Sequence, residues 1–146
     1  MLFTACSVAL FLFVAHSLLI QYQEWQAIAG LTALDFPRVR TAYSSAERRR
    51  AEIAASHLTF CQRYGLVDTV DWNMKLAWLY RVAADPQRVE KHLRQAIALK
   101  PSEPAAHFNL GKELARQGRQ EEAARSFAEA VQLAPSLAQY VPAGAR

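Results

Sequence analysis

The sequence predicts an all-α protein, in which an apolar N-terminal helix leads through a helical connector into a short domain of repeated helix pairs. Three observations predict this architecture: an uncharged N-terminal run, a helix-capping signature near the middle, and two similar consecutive segments in the C-terminal half. The 146 residues are 52% hydrophobic and 21% charged, which excludes a disordered or low-complexity chain.

The N-terminal run, residues 2–20, contains no Asp, Glu, Lys or Arg. A helix of this length rises about 28 Å, close to the thickness of the hydrocarbon core of a bilayer. Tyr22 and Trp25 follow it, where interfacial aromatic residues are common. We therefore expect a transmembrane helix over residues 1–25, in contact with a lipid bilayer. A cleaved signal peptide is disfavoured because no basic residue precedes the run and no small-residue cleavage site follows it.

Basic residues are concentrated after the apolar run. Arg38, Arg40, Arg48, Arg49 and Arg50 follow it and no Lys or Arg precedes it, so the positive-inside rule predicts that the repeat domain is cytoplasmic. The Arg triplet has two interpretations, a site for anionic lipid headgroups or a solvated helix face. We expect no nucleic-acid partner, since no base-reading motif accompanies the net charge of +4.

Residues 26–67 are expected to form a helical connector. Pro37 ends the first helix, because the residue before a proline disfavours the α conformation. Ser44 and Glu47 fit a capping box, so the next helix should extend from residue 45 to about residue 63, with Gly65 at its C-terminal end. Its expected apolar stripe comprises Ile53, Ala54, His57, Phe60, Cys61 and Tyr64. The pair of one-turn neighbours in this stripe, His57 and Cys61, is interpreted as core, because further metal ligands are missing nearby in sequence.

Residues 68–146 are expected to hold two helical repeats, over about 70–103 and 104–137, and a short tail. The shift that aligns Pro101 with Pro135 is the repeat period, and each of these prolines ends a segment of the form x-Ala-(Ile/Val)-x-Leu-x-Pro. This period resembles that of the tetratricopeptide repeat. The residues that carry this resemblance are His107, Leu110, Gly111, Leu114, Gly118, Ala123, Phe127, Ala130 and Pro135.

The first repeat keeps most of this pattern but has no equivalent of Gly118. The resemblance implies two antiparallel helices per repeat, stacked so that the first helices line a concave groove. The groove residues that it implies are Lys75, Trp78, Arg81, Phe108, Asn109, Lys112 and Arg116. Such a basic surface is similar in part to the carboxylate-holding grooves of chaperone-binding tetratricopeptide domains, with Lys75, Lys112 and Arg116 as the donors. The alternative is an ordinary solvated helix face.

Two repeats alone leave an apolar face uncovered, which predicts a protein partner or self-association. Phosphate-loop, nucleophile-elbow and clustered metal-ligand motifs are missing from the sequence, so we predict no catalytic residue, no cofactor and no metal. His92 and His107 fall on repeat helices without a carboxylate positioned by sequence to form a triad. The chain is therefore interpreted as a binding surface rather than a catalyst, although it could belong to a larger enzyme.

A wider resemblance is found in residues 71–75 and 85–91, which follow the apolar helix and the Arg-rich connector. This arrangement resembles the C-terminal region of the bacterial O-antigen polymerase/ligase superfamily, including pilin O-oligosaccharyltransferases. That family transfers lipid-linked glycans, with its catalytic residues in a multi-span region and a large loop. The resemblance implies a single pass through the bacterial inner membrane and a periplasmic repeat domain, in conflict with the charge count.

Two functional hypotheses follow. The chain is either a membrane-anchored interaction module of a bacterial envelope complex or the non-catalytic C-terminal part of such a glycosyltransferase. The partner, the oligomeric state and the membrane side are not determined by the sequence.

Overall fold

The structure is a computed structural model that describes residues 2–38, 40, 42–65 and 68–142, with side chains from residue 7 onward. The described residues form helices and connecting turns without any strand, which confirms the predicted all-α class. The chain divides into two compact units, residues 1–67 and 68–146. The helices are α1 (Leu2–Ala33), α2 (Ser45–Tyr64), α3 (Val70–Val82), α4 (Pro86–Leu99), α5 (Pro104–Arg116), α6 (Gln120–Leu133) and a C-terminal 3-10 helix (Pro135–Tyr140).

The first unit is a hairpin in which α2 packs against the C-terminal half of α1. The predicted capping box is confirmed: the Ser44 hydroxyl accepts from the Glu47 backbone N–H, and the Glu47 carboxylate accepts from the Ser44 N–H. The two helices approach closely at Gly30, where an added Cβ would lie 2.6 Å from the Cβ of Ala54. A side chain at position 30 would therefore force the helices apart.

The predicted apolar stripe of α2 is partly wrong. Ile53 and Tyr64 are 51% and 49% exposed. Ala54, which was expected in the stripe, is buried against Gly30 of α1. The buried residues of α2 are Ala51, Ala54, Ala55, Leu58 and Cys61.

The transmembrane helix expected over residues 1–25 is wrong. Within the part of the chain that the structure describes, the helices are all too short or too polar to cross a membrane. Helix α1 continues past the apolar run of residues 2–20 and ends at Ala33. The expected single-pass location in a bacterial inner membrane, on either side, is corrected with it.

The second unit contains two helix pairs, α3 with α4 and α5 with α6, and α5 also packs against α4. The second helix of each pair ends shortly before a proline, α4 before Pro101 and α6 before Pro135, as the sequence predicts. Gly111 and Phe127 mark the tightest point, since a Cβ at Gly111 would lie 2.8 Å from the Phe127 ring. The core of this unit includes Leu76, Ala77, Leu79, Val89, Leu93, Ala96, Ala106, Leu110, Leu114, Ala123, Phe127 and Ala130.

Arg119, in the turn between α5 and α6, connects the two repeats. Its Nη1 atom donates to both carboxylate oxygens of Glu90 on α4, at 2.8 and 2.9 Å. Its Nε and Nη2 atoms donate to Glu122 of α6 at 2.7 and 2.6 Å. The hydrogen bonds to Glu122 and then to Glu90 raise the pKa of Arg119, and the bond from Arg119 lowers the pKa of Glu122. The orientation of the second repeat on the first is thus fixed by polar as well as apolar contacts.

The inter-helix turns of the two repeats share a left-handed residue. Gly118 has φ of +79°, and Ala84, at the equivalent position of the first repeat, has φ of +62°. This conformation costs a residue with a Cβ about 1 kcal/mol. We therefore expect Ala84→Gly to stabilise the second unit by about 0.5–1 kcal/mol and Gly118→Ala to destabilise it by about 1 kcal/mol. Denaturant unfolding monitored by tryptophan fluorescence checks both, with Trp25→Phe removing the only tryptophan of the first unit.

Ala83→Gly is the matched control for this pair. Ala83 has φ of −70°, in the right-handed region, so glycine gains nothing there and should lower the free energy of unfolding. Equal effects of glycine at positions 83 and 84 would contradict the assignment of strain to Ala84.

Candidate functional site

A buried hydrogen-bond chain joins α3 to α4. The His92 Nδ1–H donates to the side-chain carbonyl of Asn73 at 3.0 Å, and the Asn73 amide donates to Asp68 at 2.8 Å. This direction fixes the imidazole tautomer, because an amide oxygen only accepts. Asn73 is fully buried, and the Tyr80 ring stacks on His92 at a centroid distance of 5.4 Å. With its ring enclosed, His92 is a core residue that specifies how the two helices pack.

The pKa of His92 is lowered to about 4, mainly by burial, with Lys91 and Arg88 acting in the same direction and Asp68 partly opposing them. Unfolded, the imidazole has a pKa near 6.5. The unfolded chain therefore binds more protons between these values, so stability is full above the unfolded pKa and falls as the pH drops toward the folded one. We expect a loss on the order of 2 kcal/mol over this window. Denaturant unfolding at several pH values measures it.

His92→Gln is the control for the pH prediction, since a glutamine amide can still donate to Asn73 but does not titrate. The difference between the two proteins isolates the imidazole from the carboxylates that titrate in the same window. Identical pH dependence in both would contradict the prediction.

Two of the predicted groove residues meet at one buried carboxylate. Glu113 of α5 is 4% exposed. The Arg81 Nε atom of α3 lies 3.4 Å from Glu113 Oε2, and the Arg116 Nη1 atom of α5 lies 3.0 Å from the same oxygen. One carboxylate thus holds two guanidinium groups from different repeats, and the local charge stays positive.

Lys112 lies one helical turn before Arg116 and is affected by the same positive charges. Its Nζ atom is 5.8 Å from the centroid of the Phe108 ring. Burial lowers the pKa of Lys112, and the positive charges of Arg81 and Arg116 lower it further. Among the residues that the structure describes, no carboxylate lies within ion-pair distance of Lys112. The charges that act on the ammonium group are therefore mainly of its own sign.

The remaining predicted groove residues are placed differently. Lys75 forms an ion pair with Asp71, which offsets its charge. Trp78 is only 5% exposed, so its side chain belongs mainly to the core. Phe108 and Asn109 are half-buried, and the Phe108 ring meets the Phe127 ring edge-on at 5.4 Å. The accessible part of the candidate groove consists of Phe108, Asn109, Lys112 and Arg116, with Arg81 beside them.

Sequence reasoning missed Glu113, the residue that organises this surface. A signal was available: the equivalent position of the first repeat is Leu79, which is fully buried. A charged residue at the register position of a buried leucine requires a partner of opposite charge. Arg81 and Arg116 supply it.

Other residues singled out from the sequence have structural roles. Cys61 is buried with its thiol near the Ile20 carbonyl, and burial raises its pKa, with Glu24 acting in the same direction. His57 hydrogen-bonds to Gln23 of α1. Within the described ranges, no group of three or more metal-binding side chains is found.

His107 takes the place of an aromatic residue in the repeat pattern. Its Nε2–H donates to the Pro101 carbonyl at 2.8 Å, which ties α5 to the end of α4. The segment that carries the glycosyltransferase resemblance also has a local explanation, since Asp85 caps α4 and Pro86 occupies its first turn.

The fold defines a class: the second unit is built of helical repeats. Within that class, residues 104–137 match the family model of the tetratricopeptide repeat. This match supports the tetratricopeptide resemblance that was predicted for this segment. No curated protein matches the chain. The resemblance to the O-antigen polymerase/ligase superfamily stays a prediction.

Proposed function

We propose that the repeat unit is a protein-interaction module that binds a carboxylate-bearing peptide segment on the surface formed by Phe108, Asn109, Lys112 and Arg116. The observation that carries the proposal is the clustering of three cations, those of Arg81, Lys112 and Arg116, beside the single carboxylate of Glu113. Because Lys112 is partly desolvated and surrounded by like charge, an incoming anion relieves an existing unfavourable interaction.

The neighbouring side chains suit a peptide better than a free ion. Asn109 offers an amide that can donate to and accept from a peptide backbone. Phe108 presents part of its ring beside Lys112, so an apolar side chain next to the carboxylate gains a hydrophobic contact. Charge-assisted hydrogen bonds from Lys112 and Arg116 would hold the carboxylate itself.

The test is binding of a short fluorescein-labelled peptide rich in Glu, followed by fluorescence anisotropy. We expect Lys112→Glu to weaken binding about 10- to 100-fold, because it replaces a charge-assisted hydrogen bond by a repulsion. Matched peptides with Gln in place of Glu, or with a C-terminal amide, distinguish side-chain carboxylates from the terminal one. Rising salt should weaken binding of the Glu peptide.

Lys91→Glu is the matched control, since Lys91 is an exposed lysine of α4 and the change in net charge is the same. Equal weakening by the two variants would show that net charge alone attracts the peptide and would overturn the proposal. Binding of the Gln peptide as tightly as the Glu peptide would overturn it as well.

The biological setting that the sequence suggests is a complex of the bacterial cell envelope, with the terminal part of a glycan transferase as the alternative. Both rest on the resemblance of residues 71–75 and 85–91. Identification of proteins that co-purify with the chain, and that are lost with Lys112→Glu, would decide between them. Recovery of the chain without any partner would count against both.

A further inference from the structure

A second surface of the repeat unit is the outer face of α6. An open groove of about 760 Å³ extends between α6 and the C-terminal 3-10 helix. Its apolar lining includes Ala124, Phe127, Ala128 and Val131, with Arg125 at the rim. In the first repeat, the outer face of α4 is covered by α5. Among the described residues, only the short 3-10 helix packs against α6 from this side.

The register of the repeats shows how this face differs from its counterpart. A shift by one repeat period aligns Ala124 and Ala128 with Glu90 and Arg94 of α4, which form an ion pair with each other. The second repeat thus has methyl groups where the first has charges. Helices approach each other most closely across small side chains, so this face is suited to another helix.

Two charged residues flank this face, and their positions indicate which partner would fit it. Arg125 and Glu129 are exposed, lie one turn apart on α6, and have no ion-pair partner in the part of the chain that the structure describes. If two α6 helices pack antiparallel about a two-fold axis beside residue 127, Arg125 of each copy lies next to Glu129 of the other. The same axis brings Val131 of one copy over Ala124 of the other and the two Ala128 residues close together.

We propose that this α6 face pairs with the same face of a second copy of the chain, in a two-fold symmetric dimer. A self-complementary surface is what an isologous interface requires: apolar residues at its centre and opposite charges at equal distances on either side of the axis. A single pair of helices buries less than the roughly 800 Å² per partner of a standard stable interface, so the dimer is weak and concentration-dependent. The proposal is independent of peptide binding at Lys112.

The test is site-specific cross-linking of the full chain carrying Ala128→Cys. A disulfide needs Cα atoms about 4.4–6.8 Å apart, a distance reached at position 128 only if the two copies meet near the proposed axis. We expect mild oxidation to give a dimer in which mass spectrometry identifies a 128–128 linkage. Mass spectrometry must identify the linked residues, because α1 offers another route to self-association through its exposed apolar side chains, among them Phe11 at 72%. Ala98→Cys, an exposed position on α4, is the matched control and should cross-link little.

Reversal of the charges at positions 125 and 129 is the second part of the test. In the Ala128→Cys protein, Arg125→Glu or Glu129→Arg alone should slow cross-linking roughly tenfold, because each variant replaces two attractive pairs by two repulsive ones. The double variant restores opposite charges across the axis and should recover the original rate. Absence of the 128–128 linkage, or a rate that the single charge changes do not alter, overturns the proposal. Cross-linking slowed by a single change but not recovered in the double variant also overturns it.

Discussion

Phe127→Ala is expected to lower the free energy of unfolding of the second unit by about 3–5 kcal/mol. The Phe127 ring is 1% exposed and fills the space between α5 and α6, directly against the backbone of Gly111. Truncation removes the ring and leaves a cavity. The Phe108 ring, whose centroid lies 5.4 Å from that of Phe127, loses this packing contact as well. Because whole domains are stabilised by only about 5–15 kcal/mol, a large part of the unit's stability would be lost. Denaturant unfolding in the Trp25→Phe background measures the change.

Two further variants make this result specific. Tyr140→Ala removes an aromatic side chain that is 65% exposed and should change stability by less than about 0.5 kcal/mol. Gly111→Ala should cost about 1–3 kcal/mol in the parent, because its Cβ would lie 2.8 Å from the Phe127 ring. In the Phe127→Ala background the same methyl group enters the new cavity and should cost far less. Additive losses in the double variant would show that these residues do not share one packing contact.

The repeat was predictable because its sequence signals are local. Pro101 and Pro135 cannot continue the helices that precede them, and the capping box at Ser44 and Glu47 specifies a helix start within a single turn. A constant spacing between similar segments is read without any knowledge of contacts. The helix pairs of the second unit therefore follow from the sequence alone.

The buried face of α2 was not fully predictable, because it depends on a residue of another helix. Ile53 and Ala54 were both expected in the stripe, but only Ala54 is buried, against Gly30 of α1, and Ala51 outside the expected stripe is buried as well. The transmembrane assignment was also wrong, since no helix among the described residues has both the length and the apolar character needed to cross a membrane.

The cation cluster was predicted only in part for the same physical reason. Helical spacing places Lys112 and Arg116 on one face, but it does not reveal that Glu113 between them turns inward to meet Arg81 of the other repeat. Nor does it show that Lys75 is already paired with Asp71. Charge balance at a surface depends on contacts between helices, which a single-helix pattern does not contain.

Glu113→Gln gives the second large effect and separates stability from binding. The substitution keeps the shape of the side chain and removes its charge, so Arg81, whose side chain is 12% exposed, loses the ion pair with position 113. Loss of one partner of a buried ion pair is expected to cost about 3 kcal/mol or more, measured by the same unfolding experiment. Glu121→Gln, at an exposed position of α6, changes the net charge equally and should cost less than about 0.5 kcal/mol.

The same variant should bind the Glu-rich peptide more tightly, provided that binding is measured at a temperature where the protein stays folded. Glu113 offsets part of the positive charge of Arg81 and Arg116, so its neutralisation strengthens the field acting on a peptide carboxylate beside Lys112. A severalfold gain in affinity combined with a loss of stability is the expected pattern, because the carboxylate that stabilises the repeat competes with the ligand for the same cations. Weaker binding by the folded variant would instead mean that Glu113 positions Arg116 for the ligand, and the competition between internal and external carboxylates would be refuted.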